Sequence, residues 1–236
     1  MTDTLPEAIE RLYNTFAKYT AAGMHYCDCG CVDPAVIAEL VSTPLREISE
    51  SVITRYHGSA MYTIGDLSHY KHYLPRMCEV HAEDEFFDNY TWELQTKLAY
   101  AEWQTWPQEE QVAIQAFMLA RWRERVNGSS EDRVSLDAIK TYTYLVNLQP
   151  LWDAWDYLHN PHALRRFVKL LYYEQAFFFP LQPTDDLPLT VDILLKGCST
   201  KQTVALLEAA FFEYDDTDPE YGTMLSAIIP LVEYYW

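Results

Sequence analysis

Catalytic signatures are scarce in this chain. With only 7 glycines in 236 residues, it has no phosphate-cradling glycine loop. It also lacks the G-x-S-x-G nucleophile motif and the H-E-x-x-H zinc-protease motif. No glutamate is followed three residues later by histidine, which excludes the helical di-iron motif. The sequence therefore favours a non-enzymatic protein, and a scattered site of histidines and carboxylates ranks last among the alternatives.

Positive charge is also scarce, and this limits the kinds of partner that the protein is expected to bind. Lysine and arginine total 17 against 35 acidic residues, giving a net charge of −18. Such a surface repels phosphate backbones and anionic lipids, so we expect no nucleic-acid or membrane partner. The most apolar stretch, 170–181, is interrupted by Glu174 and Pro180 and is too short to span a bilayer. With no signal peptide visible at the N-terminus, a cytoplasmic location is expected, where thiols stay reduced.

What the chain has in abundance is helical periodicity. Apolar residues recur at three- and four-residue spacing through most of its length, and 49% of all residues are hydrophobic. Asp33-Pro34, Asp66 and Asp218-Pro219 are typical helix starts, whereas Pro75 predicts a kink or a break within its helix. No Asn-Gly or Asp-Gly joins two alternating runs, so no strand hairpin is expected. The fold class predicted is all-α.

About eleven short helices joined by short loops predict stacked antiparallel pairs. This number of helices fits either an irregular bundle or an armadillo/HEAT-like array. The sequence shows no clean repeat that would distinguish the two. We predict a single domain over 1–236, with a subdomain break, if any, near 127–132. The proline-rich stretch 180–188 predicts a loop, and a further helix is predicted at 190–196.

The most specific chemical feature is the stretch His25-Tyr26-Cys27-Asp28-Cys29-Gly30-Cys31, which holds three of the five cysteines. Thiolates two residues apart, with a glycine that allows a tight turn, suit a soft metal such as zinc. Structural zinc sites usually draw ligands from two separated segments, and Cys78 and His81 form a second pair at i and i+3 of one helix. The candidate metal ligands are Cys27, Cys29, Cys31, Cys78 and His81.

Two other interpretations of the cysteine stretch stay open. Free cysteines often act as small apolar side chains, so packing in a buried turn is the favoured one. A thiol redox switch is the other. No cofactor other than zinc is suggested by any pattern in the sequence.

Several blocks in the first half of the chain resemble a family of uncharacterised bacterial all-helical proteins with a cysteine-rich segment near the N-terminus. The resemblance rests on these residues: 27–31, Thr43-Pro44-Leu45-Arg46-Glu47, His72-Tyr73-Leu74-Pro75-Arg76, Lys97-Leu98-Ala99, Trp103, Trp106 and Pro107. In that family two of the cysteines adjoin, whereas Gly30 separates Cys29 from Cys31 here. The resemblance implies a helical fold and carries no known function.

The function that the sequence favours is binding of a protein partner or self-association. Phe177, Phe178 and Phe179 cannot all point inward from one helix, so some of this run must cover a neighbouring element, a dimer partner or the loop after Pro180. The run is the leading candidate for an interaction surface. The alternative is a metal-binding or thiol redox-responsive protein that uses Cys27, Cys29 and Cys31.

Overall fold

The computed structural model describes residues 3–82, 87–129, 133–178 and 199–234, with the side chains at 87–90 and 177 left out. Within these residues the protein is all-α, as predicted, and its β-structure is limited to isolated bridges. Eleven α-helices of six or more residues and one of four residues are described. Their bounds are α1 Leu5–Phe16, α2 Pro34–Ser42, α3 Glu50–Ser59, α4 Leu67–His81, α5 Phe87–Tyr100, α6 Gln108–Asn127, α7 Leu136–Thr143, α8 Leu148–Asp153, α9 Pro161–Tyr173, α10 Gln175–Phe178, α11 Lys201–Tyr214 and α12 Pro219–Tyr234.

The predicted aspartate caps are confirmed. The Asp33 carboxylate accepts from the Ala35 amide at 2.9 Å, and Asp66 accepts from the amides of Ser68 and His69. Asp218 accepts from the Tyr221 amide at 3.2 Å. Each carboxylate satisfies a donor that the first helical turn leaves unpaired, so these residues fix where the helices begin.

The sequence predicts a kink or a break at Pro75, and the structure has no break there, because α4 runs in one piece from Leu67 to His81. The kink stays a prediction. Proline removes one backbone donor and crowds the preceding turn, which weakens an isolated helix. Pro75 is buried in this structure, as are Leu74 and Met77 beside it. Tertiary packing therefore outweighs the local helix-breaking tendency of proline.

Two compact units divide the chain, Met1–Arg121 and Trp122–Trp236. In the first unit α1 packs on α4, α2 on α3, and α3 on α4. In the second unit α11 packs on α12, while α9 contacts both α10 and α12. The prediction that helices pack in pairs is confirmed. The single domain over 1–236 and the break near 127–132 stay predictions.

The first unit has a core of aromatic and aliphatic side chains into which one ion pair is buried. The largest fully buried members are Phe16, Tyr56, Tyr70, Tyr73 and Phe117. The Glu110 side chain is 0% exposed, and it binds Lys71 Nζ at 2.7 Å, Lys18 Nζ at 2.8 Å and the Tyr19 hydroxyl at 2.7 Å. Because both carboxylate oxygens are satisfied, burial of this charge is tolerated.

The second unit is held by an aromatic cluster. The Trp122 ring lies 4.9 Å from Tyr142 and 5.8 Å from Trp155, measured between ring centroids. Its indole nitrogen donates to the Leu151 carbonyl at 2.8 Å, so the polar end of this buried ring is satisfied. Tyr157 and Phe167 stack at 4.5 Å beside it.

Several predictions fall on residues outside the described ranges. These are the loop at 180–188, the helix at 190–196, residues 130–132 of the 127–132 break and the position of Phe179. Phe178 is described and is 1% exposed. The ring therefore covers neighbouring parts of the fold, which is one of the outcomes expected for this run. An interaction surface at Phe177 or Phe179 stays a prediction.

Candidate metal centre

The cysteine turn lies between α1 and α2 and is held to the chain on both sides. Cys27 N donates to the Thr63 carbonyl at 2.8 Å, and Gly65 N donates to the His25 carbonyl at 2.7 Å. These two bonds flank an antiparallel bridge between Tyr26 and Ile64. On the other side, Asp33 caps α2 two residues after Cys31. The backbone of the turn is thus placed by the fold itself.

Gly30 supplies the conformation that closes the turn. Its φ of +83° is one that residues with a Cβ rarely adopt, and no atom lies within 4 Å of where a Cβ would be. The glycine is therefore required for the backbone angle and not for space. This positive φ lets the chain fold back, so that the thiols on either side of Gly30 face one another.

Three sulfur atoms converge in this turn. The Sγ of Cys29 lies 2.8 Å from that of Cys27 and 2.8 Å from that of Cys31, and all three atoms lie within 4.8 Å of one another. Cys29 and Cys31 are exposed and Cys27 is half-buried. The favoured interpretation of a buried, packed turn is therefore wrong for Cys29 and Cys31. The arrangement presents three soft donors to one point beside solvent.

Mutual hydrogen bonds separate the pKa values of these thiols. Hydrogen bonds from Cys27 and Cys31 to a Cys29 thiolate lower the pKa of Cys29 to about 7. The hydrogen bond that Cys31 donates to Cys29 raises the pKa of Cys31 to about 11, because it holds the proton on the Cys31 thiol. Cys29 is therefore partly ionised near neutral pH, and a metal ion would have to displace the proton of Cys31.

Cys78 and His81 lie elsewhere in the first unit, on α4. Cys78 is 1% exposed and His81 is 7% exposed. The His81 Nε2 atom lies 3.2 Å from the Thr54 hydroxyl. Among the described residues, the group of closely spaced metal-binding atoms comprises only the three thiols of the turn. A shared site using Cys78 and His81 thus stays a prediction, without support from this geometry.

The segment that holds the turn is itself supported by a buried lysine. Lys97 Nζ donates to the carbonyls of Gly58 and Ala60, both at 2.9 Å, and lies 3.6 Å from the centroid of the Tyr62 ring. Burial lowers the pKa of Lys97 to about 8. Sequence reasoning missed the contacts of Thr63, Gly65 and Lys97. These contacts join segments more than 30 residues apart in the sequence, so no local residue spacing predicts them.

The second unit contains a cleft of about 200 Å³ between the start of α9 and one face of α11. Arg165 lines it, but its guanidinium is bound to Asp218 at 2.7 Å and lies 4.2 Å from the Tyr221 ring centroid. The charge of Arg165 is thus already compensated within the protein. The cysteine turn is the better supported site.

Comparison of the chain with protein-family models, with curated proteins and with solved structures found no match in any of the three. The resemblance drawn from the sequence stays a prediction for that reason. The structure establishes its coarser content, an all-helical protein with three clustered cysteines near the N-terminus. Within the described ranges, every helix is too short or too polar to cross a membrane.

Proposed function

We propose that this protein binds a soft metal ion, in the first place Zn²⁺, through Cys27, Cys29 and Cys31. The observation that carries the proposal is the convergence of three Sγ atoms within 4.8 Å of one another. Thiolates are the donors that zinc and copper(I) prefer, and three of them from one short turn form most of a tetrahedral shell.

Reversible binding suits this site better than a structural role for the metal. The turn is already fixed by the bonds from Cys27 N and Gly65 N, and the core of the unit is formed without it. Exposure of Cys29 and Cys31 gives an ion direct access from solvent. The cytoplasmic location predicted from the sequence would keep the thiols reduced and competent to bind. A protein that responds to metal availability is the class we favour.

A titration of the purified full chain tests this proposal. We expect one equivalent of Zn²⁺ to bind in competition with a chromogenic chelator, and binding to be lost when Cys27, Cys29 and Cys31 are all replaced by serine. The matched control is Cys78→Ser, which alters a buried cysteine of the same unit and should leave the stoichiometry at one. Wild-type protein that takes no zinc from the chelator would contradict the proposal.

Binding of a protein partner, or self-association, is the second candidate function. It is favoured by large aromatic side chains at the surface: Phe212 is 83% exposed, Trp92 is 64% exposed and Tyr100 is 57% exposed. Tyr100 forms an edge-to-face pair with the exposed Tyr62 at 5.0 Å. Light scattering over a concentration series tests self-association, and a Tyr100→Ser variant with unchanged mass and partners would count against this surface.

A further inference from the structure

The backbone before the cysteine turn is extended, and His25 lies two residues before Cys27, with its ring outside the group of three sulfurs that lie within 4.8 Å of one another. The bridge between Tyr26 and Ile64 is flanked by the bonds of the His25 carbonyl and the Cys27 amide. Side chains alternate along an extended segment, so His25 and Cys27 lie on the same face with Cα atoms about 7 Å apart. An imidazole and a thiolate can both reach one ion across that spacing.

The His25 ring is available for such a role. Its side chain is exposed, and within the described part of the structure its recorded contact is an edge-to-face approach to the His69 ring at 6.2 Å. No hydrogen bond to either His25 ring nitrogen occurs among the described residues. Rotation of the His25 ring toward the sulfurs would therefore break no hydrogen bond among the described residues. Both ring nitrogens are accessible to a metal ion.

The neighbouring histidines are engaged in the fold. His69 Nδ1 accepts from the Asp66 amide at 3.2 Å, and its Nε2 lies 3.3 Å from the Ala22 carbonyl. His72 Nδ1 lies 3.0 Å from the Tyr19 carbonyl. A move toward the thiols would break these contacts. His25 is consequently the histidine of this region that can reach the sulfurs at the smallest cost.

We propose that His25 is the fourth ligand, which completes a tetrahedral Cys₃His site with Cys27, Cys29 and Cys31. This inference rests on the proposed function, and it makes the metal class more specific. Zinc in closed protein sites is almost always four-coordinate, and three cysteines with one histidine form an established donor set. A fourth, nitrogen ligand adds affinity for Zn²⁺, whereas thiolates supply the donors that Cu(I) favours. The ring nitrogen binds as neutral imidazole, so the site with Zn²⁺ carries one net negative charge.

Cobalt(II) is the probe that tests this inference, because its visible absorption reports coordination number and donor type. The full chain with Co²⁺ is expected to show the intense bands of a tetrahedral ion bound by thiolates. The variant His25→Ala should shift these bands and weaken Zn²⁺ binding by about tenfold or more. Its affinity for Cu(I), measured in parallel, should change by less than about threefold, since the three thiolates are intact.

The matched control is His162→Ala, which removes an exposed histidine of the second unit. Its spectrum and zinc affinity should equal those of the wild type. If the wild type binds one Co²⁺ with thiolate bands and His25→Ala matches it in spectrum and affinity, the inference about His25 is overturned while the proposed function stands. If the wild type binds neither Co²⁺ nor Zn²⁺, both are overturned. Circular dichroism of metal-free His25→Ala identifies any loss of fold.

Discussion

Two clusters of ionisable side chains in the described part of the first unit differ in how far solvent reaches their central groups. Glu110 is fully buried and receives Lys71, Lys18 and Tyr19 at 2.7 to 2.8 Å. The sulfurs of the cysteine turn have one another at 2.8 Å, and two of the three belong to exposed residues. The Glu110 carboxylate has all its partners within the protein. The fold also brings the three thiols together, but it leaves Cys29 and Cys31 accessible to an ion from solvent.

The proposed function gives the two clusters different roles, stability for the buried cluster and metal binding for the exposed one. Removing a partner from a buried charge leaves that charge uncompensated in a poorly polarisable interior. Removing an exposed thiol leaves the interior intact and takes away a donor. Variants of the Glu110 cluster should therefore change unfolding, and variants of the turn should change metal binding.

The largest effect is expected for Lys71→Met. It removes the buried cation that binds Glu110 Oε2, while Lys18 and the Tyr19 hydroxyl still bind the other carboxylate oxygen. We expect the free energy of unfolding to fall by about 3 kcal/mol in urea denaturation. Lys18→Met is the control, because the Lys18 side chain is 45% exposed and its loss should matter far less. Equal destabilisation by both variants would contradict the distinction.

The next effect is on metal affinity. Cys29→Ser removes the central thiol of the turn, and we expect zinc affinity to fall by about 100-fold or more in chelator competition. The midpoint of thermal unfolding of the metal-free protein should stay at the wild-type value, since Cys29 is exposed. Cys78→Ser should show the opposite pattern, with lower stability and unchanged affinity. If Cys29→Ser keeps the wild-type affinity for zinc, Cys29 is not a metal ligand.

Acid should destabilise the first unit through His57. Burial lowers the pKa of His57 to about 3, from an ordinary value of 6.5. Between these values the unfolded chain binds a proton that the folded chain does not, so stability falls as the pH drops from about 6.5 to about 3. The slope is about 1.4 kcal/mol per pH unit for one proton.

Urea denaturation of His57→Gln across this range measures that contribution. The variant should lose stability with falling pH less steeply than the wild type. The zinc affinity of the variant at neutral pH should be unchanged, because His57 lies in the core and not in the turn. Parallel pH profiles of variant and wild type would show that His57 is not the titrating group.

The smallest effect separates two glycines of similar conformation. Gly23 and Gly30 have φ values of +74° and +83°, and neither has an atom within 4 Å of the position that a Cβ would take. Alanine at either should cost about 1 kcal/mol through backbone strain. Gly30→Ala should also lower zinc affinity severalfold, because it alone distorts the turn. An equal loss of zinc affinity in Gly23→Ala would contradict the explanation that Gly30→Ala acts by distorting the cysteine turn.

Much of the fold was predictable because its signals are local. Asp33, Asp66 and Asp218 cap the helices that they were expected to cap, and the apolar periodicity predicted the all-α class. The helix is unbroken at Pro75 because tertiary packing, which the sequence does not report, outweighs the local tendency of proline to break a helix. A run of phenylalanines does not show which neighbour buries each ring, so the burial of Phe178 could not be predicted from it.

The candidate site was predictable in part. The spacing of Cys27, Cys29 and Cys31 identified the donors, but not their exposure, which depends on the long-range bridge between Tyr26 and Ile64. The pairing with Cys78 and His81 was drawn from helix spacing alone. Such spacing fixes a shared face of α4, and whether that face meets the turn is decided by tertiary packing.

Thiol alkylation of the full chain with and without one equivalent of Zn²⁺, followed by mass spectrometry, tests the central claim most directly. The account predicts that without zinc Cys29, whose pKa is lowered to about 7, is modified first and Cys31, whose pKa is raised to about 11, is modified more slowly. With zinc present, Cys27, Cys29 and Cys31 should all be protected together. Cys78, buried in α4, should react slowly in both samples. Modification of the three turn cysteines at the same rate with and without zinc would contradict a metal site in this turn.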